Sequence, residues 1–213
     1  MENVHLSPWH FVLARAYNWH QVDHGLFRSA QMYGEHIQPL LKYHGVATVI
    51  NLRGANPNST WYHPERGACE ALGITYLDLP LHSRRLPKQD MLVGLLEAFQ
   101  NAARPMLIKC SGGADRTALA AALFLLHSRG PTALPQARRQ MALLPYLHLP
   151  KRYQRWIRHF PDFFEADRGC KDIKEWAQEC YHPDRLAAWL VAGGFDGTWR
   201  KNDLSRDVPM ETP

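Results

Sequence analysis

The sequence predicts an α/β fold with a mainly parallel central sheet flanked by helices, on three observations. Short apolar, β-branched runs at 47–52, 74–79 and 105–109 alternate with longer stretches of helical periodicity. The last run is apolar at every position from Pro105 to Ile108, as a strand covered on both faces is. The last of them passes directly into a small-residue loop, Cys110-Ser-Gly-Gly-Ala-Asp-Arg116, and then into an Ala/Leu-rich helix over 115–128.

Taken in order, residues up to about 21 carry Trp9, Phe11, Tyr17 and Trp19 among polar side chains, the pattern of a segment packed across a domain. A short strand is expected at 26–29. Ile37, Leu40 and Leu41 mark the apolar stripe of a helix closed by His44-Gly45. The strand at 47–52 ends in Arg53-Gly-Ala-Asn-Pro, and a helix is expected from Ser59 or Thr60 to Leu72. The strand at 74–79 leaves as the loop Pro80-Leu-His-Ser-Arg-Arg-Leu-Pro87, ahead of a helix over 88–103. After Gly130-Pro-Thr a further helix is expected over 134–143. Residues 150–167 interleave bases with aromatics, the aromatics on one side and the bases on the other. That is a packed amphipathic helix with a solvated face rather than a nucleic-acid surface. Two closing helices are expected at 173–181 and 184–192, stopped by Gly193-Gly194, with the polar stretch 201–213 loose. One domain over 1–213 is the default for this length, with a core of about 25–166 and a helical extension of about 170–194.

A formal charge of +5 suits anionic substrates, but no long Lys/Arg run is present, so no nucleic-acid partner is expected. Cys69, Cys110, Cys170 and Cys180 are widely spaced, which indicates neither a disulfide framework nor a zinc site. No apolar run is long enough to span a bilayer and the N-terminus lacks signal-peptide character, so a reducing, cytoplasmic setting is expected.

Cys110 taken alone reads as a small buried hydrophobe at a strand end. In this setting it reads as a nucleophile. Gly112 and Gly113 let the backbone bend so that the amides of Ser111, Gly112, Gly113, Ala114, Asp115 and Arg116 can face one centre, and such a nest binds an anion. The helix beginning near Asp115 adds its positive end, and Arg116 can hold two phosphate oxygens with its planar fork. The same field favours the thiolate of Cys110, whose pKa in such surroundings can fall to roughly 3.5–7.5. Arg53, at a strand exit on the same edge, is a candidate for substrate contact or for a structural salt bridge.

Cys110-Ser-Gly-Gly-Ala-Asp-Arg116-Thr resembles the Cys-x5-Arg signature of the protein tyrosine and dual-specificity phosphatase superfamily. Leu26-Phe-Arg-Ser-Ala-Gln31 resembles its early (Y/F)RSAQ segment. Val49-Ile-Asn-Leu-Arg53 resembles the strand that follows in bacterial and tensin-like members, so the likeness spans about 25–126. The resemblance implies a phosphatase-like fold and a phosphomonoester hydrolase that works through a phosphocysteine without metal or cofactor. The substrate would be a phosphoprotein, a phosphoinositide or another phosphomonoester. It also implies that Thr117 bonds the departing thiolate, with a helix back-bond as the alternative.

The sequence departs from the family's pattern at two places. Lys109 stands where the family usually has His, and can either supply positive charge in an auxiliary role or point to solvent. Ser83 stands where many members carry the aspartate that protonates the leaving oxygen. Asp115 is the replacement favoured here, because myotubularins and some bacterial lipid-active phosphatases have a similar Asp-Arg-Thr ending for which an acid role has been proposed. The alternative for Asp115 is a helix N-cap. Asp78, Asp90 and His82 are the reserve candidates for the acid. Two other functions fit a cysteine in an anion-binding loop: a rhodanese-like sulfurtransferase and a phosphate-binding pseudophosphatase.

Overall fold

The computed structural model describes residues 8–195. Five strands form one sheet in the order β1-β2-β5-β3-β4, with β1 (His20–Asp23), β2 (Leu26–Ser29), β3 (Thr48–Asn51), β4 (Thr75–Asp78) and β5 (Met106–Lys109). All neighbours are parallel except β1, which pairs antiparallel with β2 through a turn at Gly25. β3 and β5 are buried along their whole length, as the consecutive apolar residues require. The registers align Ser29, Lys109, Asn51 and Asp78 in one row at the carboxyl ends of the four parallel strands. In open parallel sheets this is the edge outside which ligands bind.

Alternation along the strands divides the core in two. Val49 and Leu107 face a cluster built by α1 (Pro8–Ala16), α2 (Ile37–Tyr43) and α3 (Tyr62–Ala71), with Leu13, Ile37, Leu40, Leu41 and Cys69. Leu26, Ile50 and Ile108 face the larger cluster, which takes in α4 (Gln89–Asn101), α5 (Asp115–Arg129) and α6 (Leu134–Arg139). The same cluster runs without a break to Trp156, to Phe160, Phe163 and Phe164 of α7 (Phe160–Asp167), to Trp176 of α8 (Ile173–Glu179) and to Leu186 and Leu190 of α9 (Pro183–Ala192). α5 is its axis. Every residue from Thr117 to Leu126 is buried, which explains why this helix is apolar all round and not along one stripe.

Two expectations need correction. The residues 150–167 do not form one α-helix: Arg152–His159 winds as a 3₁₀ segment, and α7 begins at Phe160 with Pro161 in its first turn. The bases at 152, 155 and 158 recur every three residues, the period at which 3₁₀ side chains eclipse, and all three are exposed. The helix expected over 134–143 ends at Arg139, and Leu143, Leu144, Leu147 and Leu149 are exposed beyond it. The N-terminal segment packs as anticipated through Trp19, which is buried and stacks on His44 at 4.4 Å between centroids. Its organisation into α1 and an edge strand was not expected. The side chains of residues 8–11, Trp9 and Phe11 among them, and the stretch 201–213 lie outside the described residues.

Candidate active site

Cys110 ends β5, and the loop 110–116 leads into α5. The shape of this loop is set from beneath. Ser111 O accepts from Gln31 N at 3.1 Å, and Asn18 Nδ2 donates to the carbonyls of Gly112 and Gly113 at 3.3 and 3.0 Å. Arg28 Nη2 donates to Gly113 O at 3.0 Å and to Ala114 O at 3.2 Å. A trans peptide points its N–H away from its C=O. Tying back the carbonyls of residues 111–114 therefore turns the N–H groups of residues 112–115 to the opposite side, where they form an anion-binding nest. Only Gly113 is required for the bend. Its φ is +62°, and a Cβ there would stand 2.5 Å from Ala30 N and 2.7 Å from Ser29 C, whereas a Cβ on Gly112 meets nothing within 4 Å.

Burial of the Cys110 sulfur opposes ionisation. The Arg116 charge and the amides of Thr117 and Ala114 outweigh it and hold the thiol below its ordinary value. Arg116 is partly exposed and donates to Ser111 Oγ at 3.1 Å, so its fork stands over the loop. Cys110 Sγ lies 4.0 Å from Thr117 Oγ1, and the Thr117 hydroxyl gives its one hydrogen to Ala114 O at 3.2 Å, so the bond this hydroxyl donates here is the helix back-bond.

Arg28 is fully buried. Besides the loop it holds Gln140 O and Oε1, each at 3.0 Å, and its guanidinium lies over the Tyr146 ring at 4.3 Å. Burial lowers its pKa to about 10, and the nearby Cys110 is the first of the groups that oppose this. A buried cation thus stands behind the thiolate. The Phe-Arg-Ser-Ala-Gln segment carried this residue in plain view, but its role rests on Gln140, which is 112 residues away.

Lys109 points inward, not to solvent. It is fully buried, forms an ion pair with the equally buried Glu65, and donates to Gln31 Oε1 at 3.0 Å. Its ammonium also lies 4.3 Å from the Trp61 ring centroid. Arg53 is nearly buried and joins this cluster, its guanidinium 3.8 Å from the Trp61 ring centroid and donating to Gln31 Oε1 at 3.3 Å. Burial lowers the Arg53 pKa, and repulsion from Arg116 adds to it, so Arg53 stands close enough to the loop to feel that charge.

Ala114, not Asp115, occupies the N-cap of α5, and no cap hydrogen bond is made by a side chain there. The Asp115 carboxylate turns instead toward the loop after β4. Gln154 Nε2 donates both to Asp115 Oδ2 at 3.0 Å and to Ser83 Oγ at 3.1 Å, and Trp156 Nε1 donates to Ser83 O at 3.2 Å. Ser83 and Asp115 are therefore neighbours, joined through one amide. His148 Nε2 stands 3.2 Å from Asp115 Oδ1. The reserve candidates are occupied elsewhere or half-buried in the loop. Asp78 accepts from Asn51 at 2.7 Å and Tyr62 at 2.5 Å, Asp90 accepts from the Met91 amide at 2.9 Å, and His82 lies within the 80–87 loop.

Among the described residues, no group of three or more His, Cys, Asp or Glu is placed to hold a metal ion, and no helix is long and apolar enough to cross a membrane. A groove of about 720 Å³ lined by α2 and α3 residues, among them Gln38, Lys42 and Leu72, includes none of the loop.

A cysteine ending a central parallel strand, a cradle of amides and an arginine opening the next helix define a protein tyrosine/dual-specificity phosphatase-type fold. Residues 6–141 match the family described as "DSP-PTPase phosphatase fused to NAD+ Kinase", and the chain belongs to that family. No curated protein matches it. Solved structures are similar in fold. TpbA of P. aeruginosa is 22% identical with a TM-score of 0.55, over 76% of this chain and 90% of that one. The catalytic core of Siw14 of S. cerevisiae is 16% identical with a TM-score of 0.52, over 84% and 94%. A mutant form of Tk-PTP is 18% identical with a TM-score of 0.51, over 70% and 97%.

Proposed function

We propose that this phosphatase-family chain is a cysteine-dependent phosphomonoester hydrolase of the protein tyrosine/dual-specificity type, acting through a phosphocysteine intermediate. The observation that carries the reading is the Cys110 thiol, held below its ordinary pKa at the floor of an amide nest beside Arg116. The sulfur attacks phosphorus as the bond to the leaving oxygen breaks. Arg116 and the loop amides take the charge of the equatorial oxygens, and Asp115 gives its proton to the departing oxygen. Water then attacks the phosphocysteine, the P–S bond breaks, and the thiolate is restored.

Asp115 is preferred as the acid because its carboxylate faces the loop around Ser83, where the family's usual acid would stand. Lys109 takes a structural part in this scheme, since Glu65 neutralises it. The unbroken apolar cluster from Leu26 to Leu190 supports one domain, with the C-terminal helices as part of it. A reducing, cytoplasmic setting suits a nucleophile that must stay a thiolate.

The test is Cys110→Ser alongside the unaltered protein, with an activated aryl phosphate, rapid-quench trapping of phosphoenzyme and vanadate binding. Turnover and trapped phosphocysteine should vanish while vanadate still binds, because serine lacks the low pKa but the nest and Arg116 persist. Undiminished turnover in Cys110→Ser ends the proposal. An unaltered protein that binds vanadate without turnover is a pseudophosphatase, and transfer of sulfur from thiosulfate without phosphate release marks a rhodanese-like enzyme.

A further inference from the structure

Seven large apolar side chains are exposed among the described residues, and four of them, Leu143, Leu144, Leu147 and Leu149, fall within one stretch of seven positions. Single exposed leucines need no explanation, but a cluster on one segment marks a surface that meets something other than water. The segment is held in place. Leu147 N donates to Leu143 O at 2.7 Å and Leu149 N to Leu147 O at 3.0 Å, so the chain folds back on itself. Tyr146 and His148, which alternate with the leucines, are tied to the body of the protein. The Tyr146 carbonyl accepts at 2.9 Å from Asn18 Nδ2, the amide that also holds Gly112 and Gly113, and its ring covers Arg28. His148 is buried with Nδ1 2.9 Å from Met141 O, and Arg158 Nη2 donates to its carbonyl at 3.1 Å. With these two anchored, Leu147 and Leu149 are left outward. Leu147 keeps a φ of +55°, a conformation that costs a leucine free energy and persists only where its surroundings impose it.

The charge around the leucines has one sign. Between Asp115 and Asp162 the sequence holds no acidic residue and eight Lys or Arg. Arg138 is neutralised by Asp162 and Glu165, and Arg158 is engaged by the His148 carbonyl. Arg139, Lys151, Arg152 and Arg155 are exposed, the last two on one face of the 3₁₀ segment that follows the leucines. Arg84, from the loop after β4, brings another exposed base to this side, its guanidinium 5.9 Å from the Tyr153 ring centroid. Apolar side chains flanked by bases on a fixed scaffold match the boundary of an anionic bilayer, where leucines enter between headgroups and acyl chains and bases meet the negative charge. The other occupants fit less well. A second copy packed on this face about a two-fold axis would set bases against bases, and a nucleic acid would leave the leucines in water.

We propose that residues 139–158 are an interfacial element that seats the protein reversibly on an anionic lipid bilayer, beside the Cys110–Arg116 loop. The place of the loop follows from two contacts: Tyr146 shares Asn18 with it, and Gln154, in the 3₁₀ segment, donates to Asp115 at 3.0 Å. The seating needs no chemistry at Cys110. Its consequence, a preference for phosphomonoesters displayed on a bilayer, rests on the phosphatase reading.

Co-sedimentation of the full chain with vesicles tests the seating without turnover, using phosphatidylcholine alone and phosphatidylcholine with about one-quarter phosphatidylserine. The protein should bind the anionic vesicles about tenfold or more tighter than the neutral ones, and added salt should weaken that binding by screening the bases. Two double variants separate the contributions. Leu144→Ser with Leu149→Ser replaces the two most exposed leucines, at 74% and 72%, and Lys151→Gln with Arg155→Gln removes two exposed charges. Each pair should weaken binding about tenfold or more, while Val191→Ser, an exposed apolar position on α9, should change it less than about twofold. Turnover of a soluble activated aryl phosphate should be unchanged in all of these variants, whereas turnover of a phosphoinositide in the same vesicles should fall with binding. An unaltered protein that leaves the anionic vesicles unbound overturns the proposal. Binding that the leucine variant does not weaken is the general attraction of a basic protein and overturns it too. A dimer that the leucine variant dissociates, with vesicles unbound, makes this face an interface between copies instead. A protein that binds the vesicles as expected and hydrolyses no phosphate ester keeps the seating and loses the phosphatase reading.

Discussion

Replacing Gly113 by alanine tests whether the Cys110–Arg116 loop is clamped to β2 as the geometry requires. The added Cβ would stand 2.5 Å from Ala30 N, 2.7 Å from Ser29 C and 3.0 Å from Ser29 O, all backbone atoms, so no side chain can swing aside. Relief by moving the strand would strain two bonds that join it to the loop, Cys110 N to Ser29 O at 3.4 Å and Gln31 N to Ser111 O at 3.1 Å. The left-handed φ of +62° adds about 1–2 kcal/mol for any residue with a Cβ. Overpacking against fixed neighbours adds about 1–3 kcal/mol. The sum, about 2–5 kcal/mol, is a large part of the roughly 5–15 kcal/mol by which domains are stable. Gly112→Ala is the control: its Cβ meets nothing within 4 Å, its φ is not left-handed, and removing a glycine from the unfolded chain favours folding by about 0.4–1 kcal/mol. Urea unfolding of the two variants should separate them by about 2 kcal/mol or more. If their stabilities agree within about 0.5 kcal/mol, the close approach does not exist.

Asp115→Asn should lower turnover of an alkyl phosphate by roughly a hundredfold or more and that of an activated aryl phosphate much less, since only a poor leaving group needs the proton. Equal losses would reject Asp115 as the acid. Alkylation by iodoacetamide, followed residue by residue with mass spectrometry, should give Cys110 a midpoint below the roughly 8.5 of a free thiol. Cys69, whose pKa burial pushes up to about 12, should stay silent at neutral pH. Because the Cys110 pKa is depressed on folding, its ionisation contributes stability that is complete above the unfolded value and is lost as pH falls through the folded one. A Cys110 midpoint at or above 8.5 contradicts the electrostatics of the loop. Glu65→Gln leaves Lys109 as an uncompensated buried cation and should cost about 3–5 kcal/mol in urea unfolding. Adding Lys109→Met should return more than half of that loss, and a double variant no better than the single one would show that the pair is not coupled.

What was legible in the sequence is what is local along the chain. Cys110, Gly113 and Arg116 lie within seven residues, so their spacing alone states the loop, and the β-branched runs state the strands beside it. β1 was not legible, because Val22 is its one aliphatic residue and its place depends on pairing with β2. The buried Lys109–Glu65 pair left half a signal. Glu65 shares the apolar face of α3 with Tyr62, Ala68 and Cys69, where an acid without a partner would be costly, yet nothing local named Lys109 as that partner. His148, Gln154 and Asn18 gave none. Each acts on the loop from a position 33 to 95 residues away, through contacts that exist only once the chain has folded back.

The fastening of the loop also has an order in time. The matched family segment ends at residue 141, and the Cys-x5-Arg signature is complete well before that. Yet Tyr146, His148, Gln154 and Trp156, which grip Asn18, Asp115 and Ser83, all come later. The groups that hold the Cys110 thiol below its ordinary value, Arg116 and the amides of Ala114 and Thr117, all precede residue 141, so the later residues complete the setting of Asp115 and Ser83. Asp115 and the loop around Ser83 gain their setting only when the following fifteen or so residues are in place. A fragment cut at the end of the family segment would keep the signature and lose the contacts that His148, Gln154 and Trp156 make with Asp115 and Ser83.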